Sequence, residues 1–265
     1  GALAGAQAVA MRQMDVPVGR VVYTPILSQE GGFKSDLTIM RLADDVFRVV
    51  TGGAHGMSDL KWFKDHLPAD AAVVDLTTAY TTIGVWGPRA RDIVASVTRA
   101  ALSTMRLIER PGRTIEGGSR LVLASRGSYV GDLGWERYVP MEQGRRLWEV
   151  LWEAGQAHGL TACGMGVYGT TGRIEKGYRA YGAELDADYD VVEADMAPPK
   201  IKAQDFVGKA AVLRQLAESP AATLCTLVVD DHTSASGERR YMLGRQPIVT
   251  ADGSPIVDAK GRRSY

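Results

Sequence analysis

The sequence predicts an α+β fold arranged as two mixed blocks and the start of a third. Three observations predict it. Short apolar, β-branched runs separated by turn residues fill much of the first half of the chain. One strong helical period occupies residues 141–159, and strand-like runs return after the Pro198-Pro199 pair.

The predicted strands of the first block form an antiparallel meander followed by two further strands. Glu30-Gly31-Gly32 ends the first strand as a turn, and Ala43-Asp44-Asp45 joins the next two. The strands are predicted at 21–28, 36–42, 46–51, 73–76 and 82–86. A second block begins near Gly112, with strands at 121–124 and 135–139 on either side of a loop. After Ala222, strands are predicted at 224–229, 241–243 and 248–249.

Four helices complete the predicted elements. Ser58 is a suitable N-cap for a helix that runs to His66, and Pro88 occupies a first-turn position before a helix over 89–97. The clearest helix, 141–159, repeats Leu147 and Leu151 on one face and ends at a glycine. The fourth helix is predicted over 206–216.

The composition excludes several classes of protein. With 31 Lys+Arg against 31 Asp+Glu, the chain has no bulk attraction for nucleic acid or an anionic membrane. Two cysteines and four scattered histidines predict neither a disulfide scaffold nor a metal site. No apolar run is long enough for a membrane span, and the start does not resemble a signal peptide. We expect a soluble, cytoplasmic, globular protein that is a piece of a longer chain.

A glycine pattern at Gly164, Gly166 and Gly169 matches the dinucleotide-binding fingerprint. That fingerprint requires a strand that turns directly into a helix, and Gly172 and Gly177 interrupt the segment that follows. A chain with 30 glycines matches such a pattern easily by chance. A nucleotide site is therefore not favoured.

Two places combine residue types suited to chemistry. Asp36 stands at the head of an apolar strand, where it is either a turn or cap residue or a carboxylate that stabilises a cation or moves a proton. The loop from Tyr129 to Glu136 holds two aromatic residues, two acids and two glycines. That mixture suits a planar heterocycle rich in N–H groups, or a hairpin with aromatic cross-strand pairs.

Eight short motifs occur in the order found in one known family. They are Tyr23-Thr-Pro-Ile-Leu-Ser-Gln-Glu-Gly-Gly32, Ser35-Asp36-Leu37, Val50-Thr51-Gly52, Trp86-Gly-Pro-Arg-Ala90, Tyr129-Val-Gly-Asp-Leu-Gly-Trp-Glu136, Arg173-Ile-Glu-Lys-Gly177, Tyr181-Gly-Ala-Glu-Leu185 and Asp205-Phe-Val-Gly-Lys209. On these motifs the chain resembles the aminomethyltransferase (glycine cleavage T-protein) superfamily. The nearest subgroup is the folate-binding C-terminal part of dimethylglycine and sarcosine oxidases and dehydrogenases.

The resemblance implies a clover-like arrangement of small α+β domains around a funnel that binds tetrahydrofolate. The implied domains are a first, N-terminally incomplete folate-binding domain at 1–111, a second α+β domain at 112–219, and the beginning of a C-terminal β-barrel at 220–265.

The implied activity is tetrahydrofolate-dependent transfer of a one-carbon unit from a methylated amine donor. Asp36 is the implied catalytic residue, beside the folate nitrogens and the one-carbon unit. The implied cofactor-binding residues are Tyr129, Glu136, Arg173, Trp135 and Thr51, with Glu136 holding the pterin edge.

Departures from the family pattern leave alternatives open. The glycine-cleavage enzymes carry an asparagine after the strand that ends here at Thr51, which favours the oxidase-like branch. The stretch 164–173 is one residue longer than the family spacing, so Tyr168 is not aligned. The alternatives are a folate-dependent O- or S-demethylase and a non-catalytic folate-binding or channelling module of a larger flavin oxidase. Because the chain has no flavin motif, such an oxidase would be another domain or subunit.

Overall fold

The computed structural model describes residues 1–97, 123–241 and 244–264. Within these residues, two three-stranded antiparallel sheets pack against each other. Helices cover the outer face of each sheet, so that the order of layers is helices, sheet, sheet, helices. The fold is thus a mixture of α-helices and small β-sheets, as the sequence predicts.

The first sheet is the predicted meander. It contains β1 (Val21–Leu27), β2 (Phe33–Ala43) and β3 (Val46–Thr51) in the order β1-β2-β3. Side chains alternate between the two faces of β2. Leu37 and Ile39 lie on the outer face, and their neighbours point to the second sheet.

Two helices cover the outer face of the first sheet. The sequence analysis did not anticipate α1 (Ala2–Val9), while α2 (Gly56–His66) confirms the predicted helix. Phe63 of α2 packs with the outer side chains of β2. The predicted strand at 73–76 is wrong: Val74 and Leu76 are exposed, and the segment forms no strand.

The second sheet contains strands from both predicted blocks. It contains β4 (Tyr80–Trp86), β5 (Leu123–Arg126) and β6 (Gly134–Pro140) in the order β4-β6-β5. β4 pairs along its whole length with β6. Of the strand predicted at 121–124, residues 121 and 122 lie outside the described residues.

The outer face of the second sheet carries α3 (Ala90–Ser96) and α4 (Gly144–Gly155). The helix predicted over 141–159 is divided into a 3-10 turn, α4 and a second 3-10 turn. Gly159, at a φ of 71°, ends it as predicted. Trp135 and Val139 of β6 are fully buried beneath these helices.

The inner faces of the two sheets meet at Met40 and Tyr138. Both side chains are buried, and Val21, Leu42 and Val50 pack around them. Since side chains alternate along a strand, Asp36 shares the inner face of β2 with Met40, and Glu136 shares the inner face of β6 with Tyr138. The packing of the sheets therefore brings two carboxylate-bearing strands together.

The segment after the second sheet returns to the first one. A π-helical turn (Val167–Gly172) leads into the short α5 (Arg173–Glu175). Further along the chain, the backbone carbonyl of Asp186 accepts a hydrogen bond from the backbone N–H of Phe33, at the start of β2. The later helix, α6 (Lys209–Ala217), starts three residues after its prediction. Gly208 explains this start, because it adopts a φ of 87° and a Cβ there would lie 2.4 Å from the Ser28 oxygen.

The described residues from 220 onward form isolated bridges and no strand. The strand predicted at 224–229 is wrong, since Leu227 and Val228 are exposed and lack a strand partner there. Residues 242 and 243 of another predicted strand lie outside the described residues. The C-terminal β-barrel stays a prediction. In the part of the chain that is described, no helix is long and apolar enough to cross a membrane.

Candidate functional site

Asp36 lies within β2 on the inner face, so it is neither a turn residue nor a cap. Tyr23 on β1 donates its hydroxyl to Oδ2 at 2.8 Å, and the Tyr181 backbone N–H donates to Oδ1 at 3.4 Å. Burial raises the pKa of Asp36 above its ordinary value, and the two hydrogen bonds and the nearby His55 oppose this rise. The result is a carboxylate with an elevated proton affinity and one fixed oxygen.

Tyr23 keeps its proton. Burial of its hydroxyl, followed by the charge and the hydrogen bond of Asp36, raises the pKa of Tyr23. At neutral pH the phenol therefore remains a hydrogen-bond donor. Its function in the site is to hold Oδ2 of Asp36, which leaves the other carboxylate oxygen with only the weaker bond from Tyr181.

Aromatic rings form a wall between the sheets. Tyr168 lies between Trp86 and Tyr129, at ring-centre distances of 5.3 and 5.2 Å, and Tyr178 stacks on Tyr129 at 6.3 Å. We call Trp86, Tyr129, Tyr168 and Tyr178 the aromatic wall. β5 and β6 form a hairpin around this loop. The Tyr129 ring lies in the loop and contacts Tyr168 and Tyr178, far along the chain, so the described ring contacts include no cross-strand aromatic pair of Tyr129.

Two glycines make room for this wall. A Cβ on Gly84 would lie 2.0 Å from the Trp86 ring, and one on Gly134 would lie 2.2 Å from it. Both positions are on the inner faces of their strands, so the indole lies flat across the backbone of β4 and β6. A larger residue at either position would displace Trp86.

Glu136 lies on the inner face of β6, beside the aromatic wall. Tyr138 donates its hydroxyl to Oε2 of Glu136 at 2.5 Å. Burial first, and then the charges of Glu136 and Asp36, raises the pKa of Tyr168 to about 12. The charges of both carboxylates therefore act on the Tyr168 phenol. Asp36 and Glu136 thus lie around the same side chain, although they belong to different sheets.

Arg173 lies behind the aromatic wall and is almost fully buried. Its Nη1 donates to Glu184 at 2.7 Å and to the Tyr178 carbonyl at 3.1 Å, and its Nε donates to the Gly169 carbonyl at 2.6 Å. These bonds fix the loop that carries Tyr178. The cofactor-binding role of Arg173 stays a prediction.

Two of the predicted site residues are not brought to this cluster. Trp135 is 0% exposed, inside the core beneath α3 and α4. Thr51 donates its hydroxyl to Asp59 of α2, which also accepts the Ser35 hydroxyl at 2.9 Å. The physical reason is strand alternation: each is next to an inward-facing position and points outward. The cofactor-binding assignment of these two side chains stays a prediction.

Sequence reasoning missed Tyr168 and Tyr138. Tyr168 lies within the stretch 164–173, whose spacing differs from the family pattern, and the π-helical turn that carries it accommodates the extra residue. Tyr138 had a usable signal, because it lies two residues after Glu136 on a predicted strand and so shares its face.

Other chemistry has no support in the described residues. The glycine pattern from Gly164 leads into the π-helical turn without a preceding strand, which is not the geometry of a dinucleotide site. Among the described residues, no group of three or more His, Cys, Asp or Glu side chains could hold a metal ion. Both cysteines are free and exposed.

Comparison with known proteins identifies the family. The sequence profile described as the GCVT N-terminal domain matches residues 1–198, most of the chain. The chain belongs to this family. This confirms the superfamily that the eight motifs indicated.

Curated relatives of this GCVT-domain chain include aminomethyltransferases. The one from Halothermothrix orenii is 31% identical over 197 residues, which cover 74% of this chain and 54% of the relative. The one from Geobacillus sp. (strain WCH70) is 32% identical over 245 residues, covering 90% and 66%. The chain thus spans about half to two thirds of the length of these relatives.

A solved structure has the same fold. The glycine cleavage system aminomethyltransferase T from Bartonella henselae superposes with a TM-score of 0.70 over 83% of this chain and 59% of that chain. At 19% sequence identity this similarity shows the fold alone.

Proposed function

We propose that this GCVT-domain chain transfers a one-carbon unit from a methylated amine donor to tetrahydrofolate. The observation that carries the proposal is the placement of Asp36 and Glu136 on facing sheets, where the charges of both act on Tyr168 of the aromatic wall. Membership of the GCVT family and the names of its curated relatives support the same reaction class.

Tetrahydrofolate fits the chemistry of the described residues. A flat ring stacks well on aromatic side chains, and the glycines at 84 and 134 let Trp86 present its face. A carboxylate accepts paired N–H donors, which the pterin edge carries. Because Tyr138 occupies Oε2 of Glu136, its Oε1 is the oxygen that we assign to the pterin edge. The tetrahydrofolate would supply the nucleophilic nitrogen that accepts the one-carbon unit.

Asp36 would act on the one-carbon end. A carboxylate in a partly dehydrated site stabilises a cationic carbon–nitrogen group more strongly than one in water. As the acceptor nitrogen forms its bond to the one-carbon unit, the bond from that carbon to the donor nitrogen breaks. Asp36 takes up the proton that the attacking nitrogen loses and returns it to the donor nitrogen, which leaves as the amine. The elevated pKa of Asp36 makes it a better proton acceptor than an ordinary aspartate.

The remaining features of the whole protein are proposals as well. They include the clover-like arrangement, the division at 1–111, 112–219 and 220–265, the cytoplasmic location, and a flavin oxidase domain or subunit as partner. A folate-dependent O- or S-demethylase and a non-catalytic folate-binding or channelling module are the alternatives. The first differs in its donor, and the second predicts folate binding without turnover.

The test is a one-carbon transfer assay with Asp36→Asn, using a panel of N-methylated, O-methylated and S-methylated donors. We expect turnover with N-methylated donors to fall by about 100-fold or more, since positioned acid–base groups contribute about that much. Asp44→Asn is the control, because Asp44 is exposed on the turn after β2. Transfer unaffected by Asp36→Asn would refute the catalytic assignment, and turnover with O- or S-methylated donors alone would favour the demethylase.

A further inference from the structure

Arg48 occupies an unusual place between the two sheets. It lies on β3, and its guanidinium carbon is 4.5 Å from the ring centre of Tyr80 and 5.8 Å from that of Tyr138. Both tyrosines belong to the second sheet, so this side chain bridges the sheets. Its Nη1 is buried and has no hydrogen-bond partner in the described structure. Two aromatic faces offset only part of the cost of burying such a charge.

Tyr138 connects Arg48 to the negative charge of Glu136. The ring of Tyr138 is 4% exposed and packs on Met40, while its hydroxyl donates to Glu136. Burial and the charge of Glu136 raise the pKa of Tyr138, and the charge of Arg48 lowers it. Arg48, Tyr138 and Glu136 therefore form one electrostatic row across the interface of the two sheets.

We infer that Tyr138 is a positioning residue that fixes the Glu136 carboxylate for its ligand, and that Arg48 holds Tyr138 in place. The inference rests on the proposed function, because it gives the pterin edge as the ligand of Glu136. Neither Tyr138 nor Arg48 touches that edge in this account. They act through Glu136.

The physical consequence is a carboxylate with one free oxygen and one fixed orientation. A hydrogen bond to the charged form favours that form, and so does a nearby cation. The titratable or charged groups around Glu136 are Tyr138 on its own strand, Arg48 on β3, Tyr168 on the π-helical turn and Asp36 on the facing strand.

The first experiment measures tetrahydrofolate binding to the whole chain between pH 4 and 8, under anaerobic conditions. Tyr138→Phe keeps the ring against Met40 and removes only the donor. We expect about tenfold weaker binding at neutral pH, from the loss of one charge-assisted hydrogen bond. We also expect the acid limb, which is the loss of binding as the pH is lowered, to move to higher pH than in the unaltered chain. A purely structural defect would not cause that movement.

Tyr80→Phe is the matched control, because it keeps the ring beneath Arg48 and the Tyr138–Glu136 bond. We expect its binding to stay within about twofold of the unaltered chain. Arg48→Lys keeps a cation and should retain the acid limb, whereas Arg48→Met should move it in the same direction as Tyr138→Phe.

A double-mutant cycle separates the two hypotheses. In a Glu136→Gln background, we expect Tyr138→Phe to have almost no additional effect, since its function is exerted through the carboxylate. Additive losses, or an acid limb unchanged by Tyr138→Phe, would overturn the inference while the proposed function stands. Absence of tetrahydrofolate binding by the unaltered chain would overturn the proposed function, and with it the ligand assigned to Glu136.

Discussion

Single residues carry the chemistry, and Asp36 shows how its neighbours set its properties. Its burial on the inner face of β2 raises its pKa, and Tyr23 and Tyr181 hold its two oxygens. Because the unfolded chain releases this proton more readily, ionised Asp36 destabilises the folded state. That cost appears as the pH rises from the ordinary aspartate pKa through the raised pKa of Asp36 in the folded state.

The first residue-scale prediction follows from this sign. Asp36→Asn, which leaves an amide oxygen for Tyr23, should raise the melting temperature at pH 7 and change it little at pH 3. Thermal unfolding of the two chains at both pH values checks it. Asp44→Asn should show no such difference, and a melting temperature lowered at pH 7 would contradict the account of Asp36.

The pH dependence of transfer is a second residue-scale prediction. Proton uptake by Asp36 requires its ionised form, so kcat/KM should fall on the acid side at a pH above the ordinary aspartate value of 3.8. A pH–rate profile checks this. Replacement of Tyr23 by Phe removes a hydrogen bond to the charged form and should move the acid limb to still higher pH. An unmoved limb would show that another group titrates.

At the scale of elements, strand alternation explains which site residues the sequence could predict. The motifs located Asp36 and Glu136, and both do lie on inner faces. Trp135 and Thr51 are sequence neighbours of inward-facing positions and point outward, which is what a period of two requires. The position of Arg48 was out of reach, because it depends on how the two sheets pack and no local pattern encodes that.

A prediction at this scale concerns the aromatic wall. Gly84→Ala places a methyl group into the Trp86 ring and should tilt the indole away. We expect tetrahydrofolate binding to weaken by about tenfold or more, since stacking on an aromatic side chain contributes about 1–3 kcal/mol. Gly53→Ala is the control, as a Cβ there meets nothing within 4 Å. Equal binding by both variants would exclude the wall from the ligand site.

At the scale of the whole molecule, long-range ties join the ends of the chain to the sheets. Lys202 donates to the carbonyls of Gln7, Ala10 and Arg12, which fastens the N-terminal segment. Lys202 is therefore a structural residue. Burial lowers the pKa of Lys202 to about 8.

A second tie holds the C-terminal segment. Glu193 is 1% exposed and pairs with Arg262 at 2.5 Å and Lys260 at 3.0 Å. Burial would raise the pKa of Glu193, but the hydrogen bonds from these two cations outweigh burial and lower it. These ion pairs therefore stabilise the folded state at pH values above the ordinary glutamate pKa. Their contribution is lost as the pH falls through the lowered pKa of Glu193 in the folded state.

This tie supplies the whole-molecule prediction. Arg262→Met removes one of the two cations that pair with the buried Glu193 and should lower the free energy of unfolding by about 3 kcal/mol. Urea unfolding at pH 7 measures it, and the loss should shrink at acid pH. Arg240→Met is the matched control, because its pair with Glu238 is exposed and contributes little. If both variants lost the same amount, the C-terminal segment would not be docked as described.

The central claim is that Glu136 and Asp36 form one folate site with divided functions. The most direct measurement is anaerobic calorimetry of tetrahydrofolate binding to the unaltered chain, Glu136→Ala and Asp36→Ala, with the exposed Glu142→Ala as control. The account predicts micromolar binding that Glu136→Ala weakens sharply and that Asp36→Ala and Glu142→Ala largely retain. Binding of tetrahydrofolate that is indifferent to Glu136→Ala would contradict the claim.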